Sequence, residues 1–182
     1  MERLTVGVCK TFQELVAIMA IRGASYIGEQ GRSFSDDWDG NDFSSTQIIA
    51  KINQEPAGCA RIRYFSEFVV VERFAVLPKY RKRLFNKTTI ALEITKFIVD
   101  FCSRKGYHKV YDYPMPDLHP MWRKVWDRAG VIDPISLNRG ITFAEGKTGT
   151  LFVGYLPVQE QRLDISRNPD FLVEPEGEWT AY

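Results

Sequence analysis

The chain is poor in the residues that most often build metal and redox sites. Its three cysteines, Cys9, Cys59 and Cys102, lie far apart in apolar segments and show no CxxC spacing. An odd, scattered set excludes a disulfide framework and a cysteine zinc site, and reads as reduced, packed thiols. The two histidines, His108 and His119, are not spaced with other ligands, so no metal is expected. A formal net charge of +1 gives no overall field that would draw the chain to nucleic acid or a membrane surface. No apolar run approaches the roughly 18–20 residues of a membrane span. The opening MERLTVGVCK lacks the apolar core and small-residue cleavage site of a signal peptide, and a cytoplasmic location is the expectation.

What is present fits one globular domain. The 182 residues are 45% hydrophobic and 26% charged, enough for a full core with an ordinary polar surface. From Val158 onward the composition turns polar and acidic. Residues 1–157 are therefore expected to form the domain, and 158–182 a surface-draped or mobile tail.

One stretch, VVVERFAVLPKYRKRLFN at Val69–Asn86, concentrates the chemical signals. An apolar run of strand character is halted by Pro78. A basic segment, Lys79 to Arg83, follows, and helix-compatible sequence opens near Leu84. Strand, basic turn and helix start is the order that sets backbone N–H groups and a positive dipole end beside a phosphate. Lys79, Arg81, Lys82, Arg83 and Lys87 form the dense basic cluster of the chain. It reads as a phosphate or carrier-protein contact, with a solvated face and nucleic-acid binding as the alternatives.

The flanking elements can be read from periodicity. Leu4–Cys9 is a first strand, and Thr11-Phe-Gln-Glu14 is a capping box opening a helix to about Tyr26. Residues 28–45 read as a long loop holding Trp38 and Phe43, either as anchors or as ligand contacts. Thr46–Ile52 and Ala57–Phe65 are strands joined by a turn at Asn53–Pro56, and Arg61 and Arg63 share one face of the second. A helix runs to Gly106, then a strand at Val110–Tyr113. Asp117 caps a helix from Leu118 to about Ala129, Asp133–Thr148 is turn-rich, and Leu151–Leu156 is a last strand. The order β-α-β-β-β-α-β-α-β is an α+β fold, a mixed and mostly antiparallel sheet flanked by helices.

Gly58-Cys-Ala-Arg-Ile-Arg63, Val71-Glu-Arg-Phe-Ala-Val-Leu-Pro-Lys-Tyr-Arg-Lys-Arg83, Lys105-Gly106 and Arg128-Ala-Gly130, in that order, resemble the GNAT superfamily of N-acyltransferases. The resemblance implies that strand residues Phe74, Ala75 and Val76 pair with the pantetheine arm of acetyl-CoA or a longer acyl-CoA. It also implies that the turn Arg81, Lys82, Arg83, Leu84, Phe85 and Asn86 meets the pyrophosphate. The family's Q/R-x-x-G-x-G/A pattern keeps its first residue here as Arg81, while Leu84 and Asn86 replace both glycines. The tyrosine that many members use to protonate the leaving thiolate corresponds to Trp126. Both departures are shared by acyl-homoserine-lactone synthases, which take acyl groups from acyl carrier protein. Arg22 four before Tyr26, then Trp38, Asp39 and Asp42, Arg61 in Gly-Cys-x-Arg, and Arg73 in Arg-Phe-x-Val resemble substrate-site positions of those synthases. Val70 stands where they have an acid, and the segment between Arg61 and Arg73 is shorter than theirs.

Amide formation from a thioester needs a neutral amine. An α-amino group is about a tenth neutral at pH 7, whereas a lysine-like amine is neutral in roughly one molecule in 2,000–3,000. Glu72 is the candidate base; the alternative is a structural network with Arg61, Arg63 or Arg73. Regular alternation would send Glu72 and Arg73 to opposite faces. The acids Asp36, Asp37, Asp39 and Asp42 suit either a cationic substrate or a solvated loop. Trp122 and Trp126 suit packing or the wall of an acyl pocket. The sequence thus supports an N-acyltransferase using acyl-CoA or acyl carrier protein (acyl-ACP) with a small-molecule or peptide amine. The alternatives are an acyl-ACP-dependent N-acyl amino acid or homoserine-lactone-type synthase, and a non-catalytic domain binding an acyl carrier or partner. No nucleic acid is expected as a partner, and a homodimer is compatible with the sequence.

Overall fold

The computed structural model describes residues 2–142 and 148–158. Seven strands form one sheet in the order β1-β2-β3-β4-β5-β7-β6. Strands β1 (Leu4–Val8), β2 (Thr46–Ile52), β3 (Glu55–Tyr64) and β4 (Phe68–Val76) make an antiparallel meander. Helix α3 (Ile90–Arg104) then crosses over to β5 (Lys109–Asp112), which pairs with β4 in parallel. Helix α4 (His119–Arg128) leads to β6 (Ile132–Thr142) and β7 (Thr148–Tyr155), and β7 inserts between β5 and β6.

Helices cover both faces because successive strand residues point to opposite sides. On one face Ile90, Ile94 and Ile98 of α3 pack with Ile48, Ile62, Val69 and Val110, and Trp126 of α4 joins them fully buried. On the other, Ile18 and Ile21 of α1 (Phe12–Arg22) meet Ile49, Cys59 and Ala75. Each isoleucine or valine among them, fully buried, contributes roughly 1.5–3 kcal/mol. Burial also pushes the Cys59 thiol up to about 12, so this is a packed, inert sulfhydryl.

Capping chemistry sets several boundaries. Thr11 Oγ1 accepts from Glu14 N–H at 3.2 Å, while the Glu14 carboxylate returns to Lys10 N–H at 2.7 Å, one residue outside the expected box. Past Arg22 the helix widens into a π-helical turn, Gly23–Glu29, that carries Tyr26. A short helix α2 (Phe34–Asp37) and a 3₁₀ turn at Asn41–Ser44 lie within the expected loop.

Three expectations are corrected. Helix α3 starts at Ile90, capped by Thr89, rather than near Leu84. Asn86 and Lys87 adopt φ of 49° and 66°, which folds residues 85–88 into a tight turn. Asp117 does not cap α4: it lies in a 3₁₀ turn, Pro116–Leu118, and Leu118 holds the cap position without a side-chain bond. The turn-rich segment from Asp133 is largely strand β6. Its pairing with β7 slips between Ile132 and Ile135 and again between Leu137 and Ile141, so no clean alternation marks it. The tail, apart from Val158 at its start, lies outside the described residues.

Two irregularities shape the middle of the sheet. Across β3 and β4, Cys59 faces Ala75 and Arg61 faces Glu72, so β4 carries one more residue than β3 over that span. This is a β-bulge, with Arg73 at φ 50°, and it twists β4 sharply. Strands β4 and β5 pair only as far as Val71 and Asp112. Pro114 and Pro116 then stop the chain from continuing as a ladder partner, and β4 runs on without a neighbour on that side.

A methyl group at Gly154 of β7 would lie 2.1 Å from Cγ1 of Val131, which lies between α4 and β6. Gly154→Ala should cost about 1–3 kcal/mol in urea unfolding. The same change should cost less in a Val131→Ala background, where the blocking methyl is gone.

Candidate active site

The bulge overrides the alternation expected for Glu72 and Arg73. Both line a single cavity of about 140 Å³, together with Tyr26, Arg32, Phe74, Asp112 and Trp122. The cavity sits where β4 and β5 part. Leu77 N–H bonds Ala57 O at 2.9 Å, so the backbone groups of Val76 and Phe74 turn away from β3. Their carbonyls are met by side chains instead: Tyr26 OH donates to Phe74 O at 2.8 Å, and Arg81 Nε donates to Val76 O at 2.7 Å.

The substrate-site candidates Arg22, Trp38, Asp39, Asp42, Arg61 and Arg73 do converge, mainly on one another. Arg61 is fully buried. It holds Asp39 with both Nη atoms at 2.7 and 2.8 Å, reaches Asp42 at 2.9 Å, and grips Glu72 Oε1 with Nη2 at 2.9 Å and Nε at 3.2 Å. Arg22, also buried, bonds Asp37 at 3.2 Å and Asp42 at 2.5 Å, and its guanidinium lies 3.9 Å over the Trp38 ring. It also donates to Asp37 O. Arg73 donates to Asp37 O, Asp36 O and Asp39 Oδ2 at 3.0, 2.8 and 2.9 Å. Arg61 thus reaches the cavity through Glu72, whereas the partners of Arg22, namely Asp37, Asp42 and Trp38, do not line it. Phe43, the other aromatic of that loop, is 90% exposed and does not anchor it.

Glu72 joins the arginine network and also lines the cavity. Its Oε1 is fixed by Arg61, while Oε2 lies 3.9 Å from Arg73 Nη1, beyond hydrogen-bond range. Trp122 meets Phe74 edge-on at 4.5 Å and walls the cavity, whereas Trp126 stacks on Phe152 and is core.

Asp112 is the residue that sequence reasoning missed. It ends β5, is buried, and accepts from Trp126 Nε1 at 3.2 Å and Tyr113 N–H at 2.7 Å. Desolvation pushes its carboxyl up to about 7, and the Glu72 charge adds to the rise against those two hydrogen bonds. An acid closing an apolar strand just before two prolines was the available signal. Arg32 was missed as well. It lines the cavity, and its guanidinium lies 5.0 Å over the Tyr26 ring.

The basic turn is occupied by its own bonds. Phe85 and Thr88 exchange N–H···O bonds at 2.8 and 3.0 Å, and the N–H groups of Arg81 and Arg83 bond Pro78 O and Tyr80 O. Arg81 pairs with Glu29 at 2.5 Å, and Arg83 with Glu2 at 2.7 Å. Lys82 and Lys87 have no acid partner among the described residues. Leu84 is 68% exposed beside them.

The family model described as acetyltransferase (GNAT) family matches residues 15–124. No curated protein sequence matches the chain. Among solved structures, FeeM, an N-acyl amino acid synthase from uncultured soil microbes, superposes with a TM-score of 0.66 at 11% identity, covering 92% of this chain and 97% of that one. An acyl-CoA N-acyltransferase from Pseudomonas aeruginosa gives 0.64 at 14%, covering 85% and 99%. ElaA of Escherichia coli gives 0.63 at 19%, covering 84% and 99%. At these identities the likeness is one of fold.

Two stability outcomes follow from the network. Arg61→Met leaves Asp39 and Glu72 without their main cation and should cost about 3–5 kcal/mol in chemical unfolding. Desolvation raises the Asp39 carboxyl, but the hydrogen bonds and charge of Arg61 with the charge of Arg73 outweigh it and hold the group well below the usual range. Its contribution is therefore complete above about pH 4 and lost as pH falls further. Urea midpoints at pH 6 and pH 3 should fall less in Asp39→Asn than in the wild type.

Proposed function

The chain belongs to the GNAT acetyltransferase family, and on that premise we propose that it transfers an acyl group from a pantetheine thioester to an amine by direct attack. The observation that carries this reading is the parting of β4 from β5, which leaves the edge of β4 beside a cavity holding two carboxyl groups. The thioester arm lies along Phe74, Ala75 and Val76, its amides meeting backbone groups that β5 leaves unpaired. Glu72 takes the amine proton, directly or through one water, with its orientation fixed by Arg61. Arg81–Asn86 meets the donor's phosphate, with acyl-CoA and acyl-ACP as the candidate donors.

A second reading, an acyl-ACP-dependent N-acyl amino acid synthase, is favoured by features of the basic turn and of the cavity. The hairpin at residues 85–88 consumes N–H groups that a pyrophosphate would need. Lys82 and Lys87, without an acid partner among the described residues, and the exposed Leu84 suit the single phosphodiester and acidic surface of a carrier protein. Arg32, over the Tyr26 ring and in no ion pair among the described residues, can take an acceptor's carboxylate. The cavity is smaller than the roughly 300–1,000 Å³ typical of drug-sized ligands, which favours a compact amine. The likeness to FeeM adds support.

Mass spectrometry of products from acetyl-CoA, longer acyl-CoA and the same chains on acyl carrier protein, each with pools of amines, tests both readings. Equal use of free acetyl-CoA would exclude the carrier-dependent reading, and absence of multiple turnover with every donor would leave only a binding domain. In Glu72→Gln, kcat should fall about 100-fold or more with KM little changed; unchanged turnover removes the role of Glu72. Arg32→Gln should raise KM for an amino acid acceptor about 10-fold or more while leaving the matching decarboxylated amine unaffected.

A further inference from the structure

We propose that Asp112 is the general acid of this site, protonating the thiolate that leaves when the amide forms. The assignment rests on the N-acyltransfer reading above. Its geometric basis is that two carboxyl groups share one cavity in opposite environments. Glu72 is gripped by the buried Arg61 and works as an anion. Asp112 is buried with no cation paired to it among the described residues, and its hydrogen-bond donors are an indole and a backbone amide. A pair of acids whose surroundings diverge in this way divides the tasks of base and acid.

The position fits the task. Asp112 stands at the last rung of the β4–β5 ladder, opposite Val71, which precedes by three residues Phe74, where the proposed thioester arm begins. By the sequence resemblance, Trp126 stands where many family members have a tyrosine acid, and an indole has no proton of suitable acidity to give. Its Nε1–H instead holds Asp112 Oδ2, so the proton source is moved from helix α4 to strand β5. A carboxyl raised to about 7 is close to half protonated at neutral pH, the condition for an efficient acid there.

The proton balance closes within the pair. The amine nitrogen bonds to the thioester carbon, and Glu72 takes a proton from that nitrogen. The C–S bond breaks with its electron pair on sulfur, and sulfur takes the Asp112 proton. Amine and thioester have become amide and thiol. The proton on Glu72 then returns to Asp112 through cavity water. The titratable and charged groups facing Asp112 are Glu72 and Arg73 of β4, Tyr113 beyond β5, and Tyr26 and Arg32 across the cavity. Arg63 lies 3.7 Å from Glu72. Helix α4 contributes Trp122 and Trp126, and β7 contributes Phe152 opposite Asp112.

The test compares Asp112→Asn with wild type on two donors of the same acyl group. One is an N-acetylcysteamine thioester, whose alkyl thiolate needs a proton. The other is a 4-nitrophenyl thioester, whose aryl thiolate does not. The variant should lose about 100-fold in kcat on the alkyl donor with little change in KM, and match wild type on the aryl donor. Wild-type kcat on the alkyl donor should decline above about pH 7, and that limb should be absent in the variant. Equal losses on both donors, or no loss on either, would overturn the assignment. Should Asp112→Asn fail to fold, Trp126→Phe provides the second measurement. Removing the N–H that stabilises the carboxylate should move the alkaline limb to higher pH, and an unmoved limb overturns the proposal. Absence of turnover in the wild type would overturn the acyltransfer reading itself, and this assignment with it.

Discussion

The buried guanidinium of Arg61 is the joint on which this structure turns. It stands on β3, grips Glu72 on the adjacent bulge of β4, and holds Asp39 and Asp42 of the loop that closes over them. Burying such a charge costs several kcal/mol unless every donor is matched, and here carboxylates from two separate elements supply the match. Arg22 and Arg73 repeat the arrangement with Asp37, Asp39 and Asp42. The effect is to fix a 3₁₀ turn and a short helix against the sheet without much apolar contact. Strain at Arg73, of order 1–3 kcal/mol for a left-handed non-glycine residue, is held in place by the same bonds. Charge here specifies geometry more than it adds stability.

That geometry has a chemical consequence. A regular strand would place Glu72 and Arg73 on opposite faces, whereas the bulge turns both toward the gap between β4 and β5. The gap exists because β5 ends at Asp112 and prolines follow. One interruption of the ladder therefore supplies an unpaired backbone edge, a cavity, an anionic carboxylate and a desolvated carboxyl within a few residues of one another. The proposed aminolysis of a thioester draws on these parts: a place to lie, an acceptor for one proton and a donor for another.

The turn after β4 shows a different compromise. Its hairpin saturates backbone donors with local carbonyls, and Arg81 and Arg83 are drawn to Glu29 and Glu2. A glycine turn leaves such donors free, because glycine accepts the required backbone angles without a hairpin. Here a phosphate must be met largely by side-chain cations, which are longer, more mobile and less discriminating than a ring of N–H groups. The carbonyls of Phe74 and Val76 are likewise covered by Tyr26 and Arg81. An arriving thioester arm must share or displace both.

Much of this was legible in the sequence. The meander, the crossover helix and the strand–basic turn–helix order follow from periodicity and turn residues, which are local. The burial of Cys59 and Cys102 also followed from their apolar settings, and the resemblance named Arg22, Trp38, Asp39, Asp42, Arg61 and Arg73, which the structure brings together mainly on one another. Strand β6 was hidden because its register slips break the alternation that marks a strand. The start of α3 was misplaced because Asn86 and Lys87 adopt a backbone that nothing in their identities requires. Tertiary structure alone decided that the arginines spend their donors on loop acids and that Glu72 shares its cavity with Arg73. It alone decided that Asp112 has a buried indole as partner. These depend on which residues, distant in the chain, share one low-dielectric space, and the energy of a charge is set by that space rather than by its neighbours in sequence.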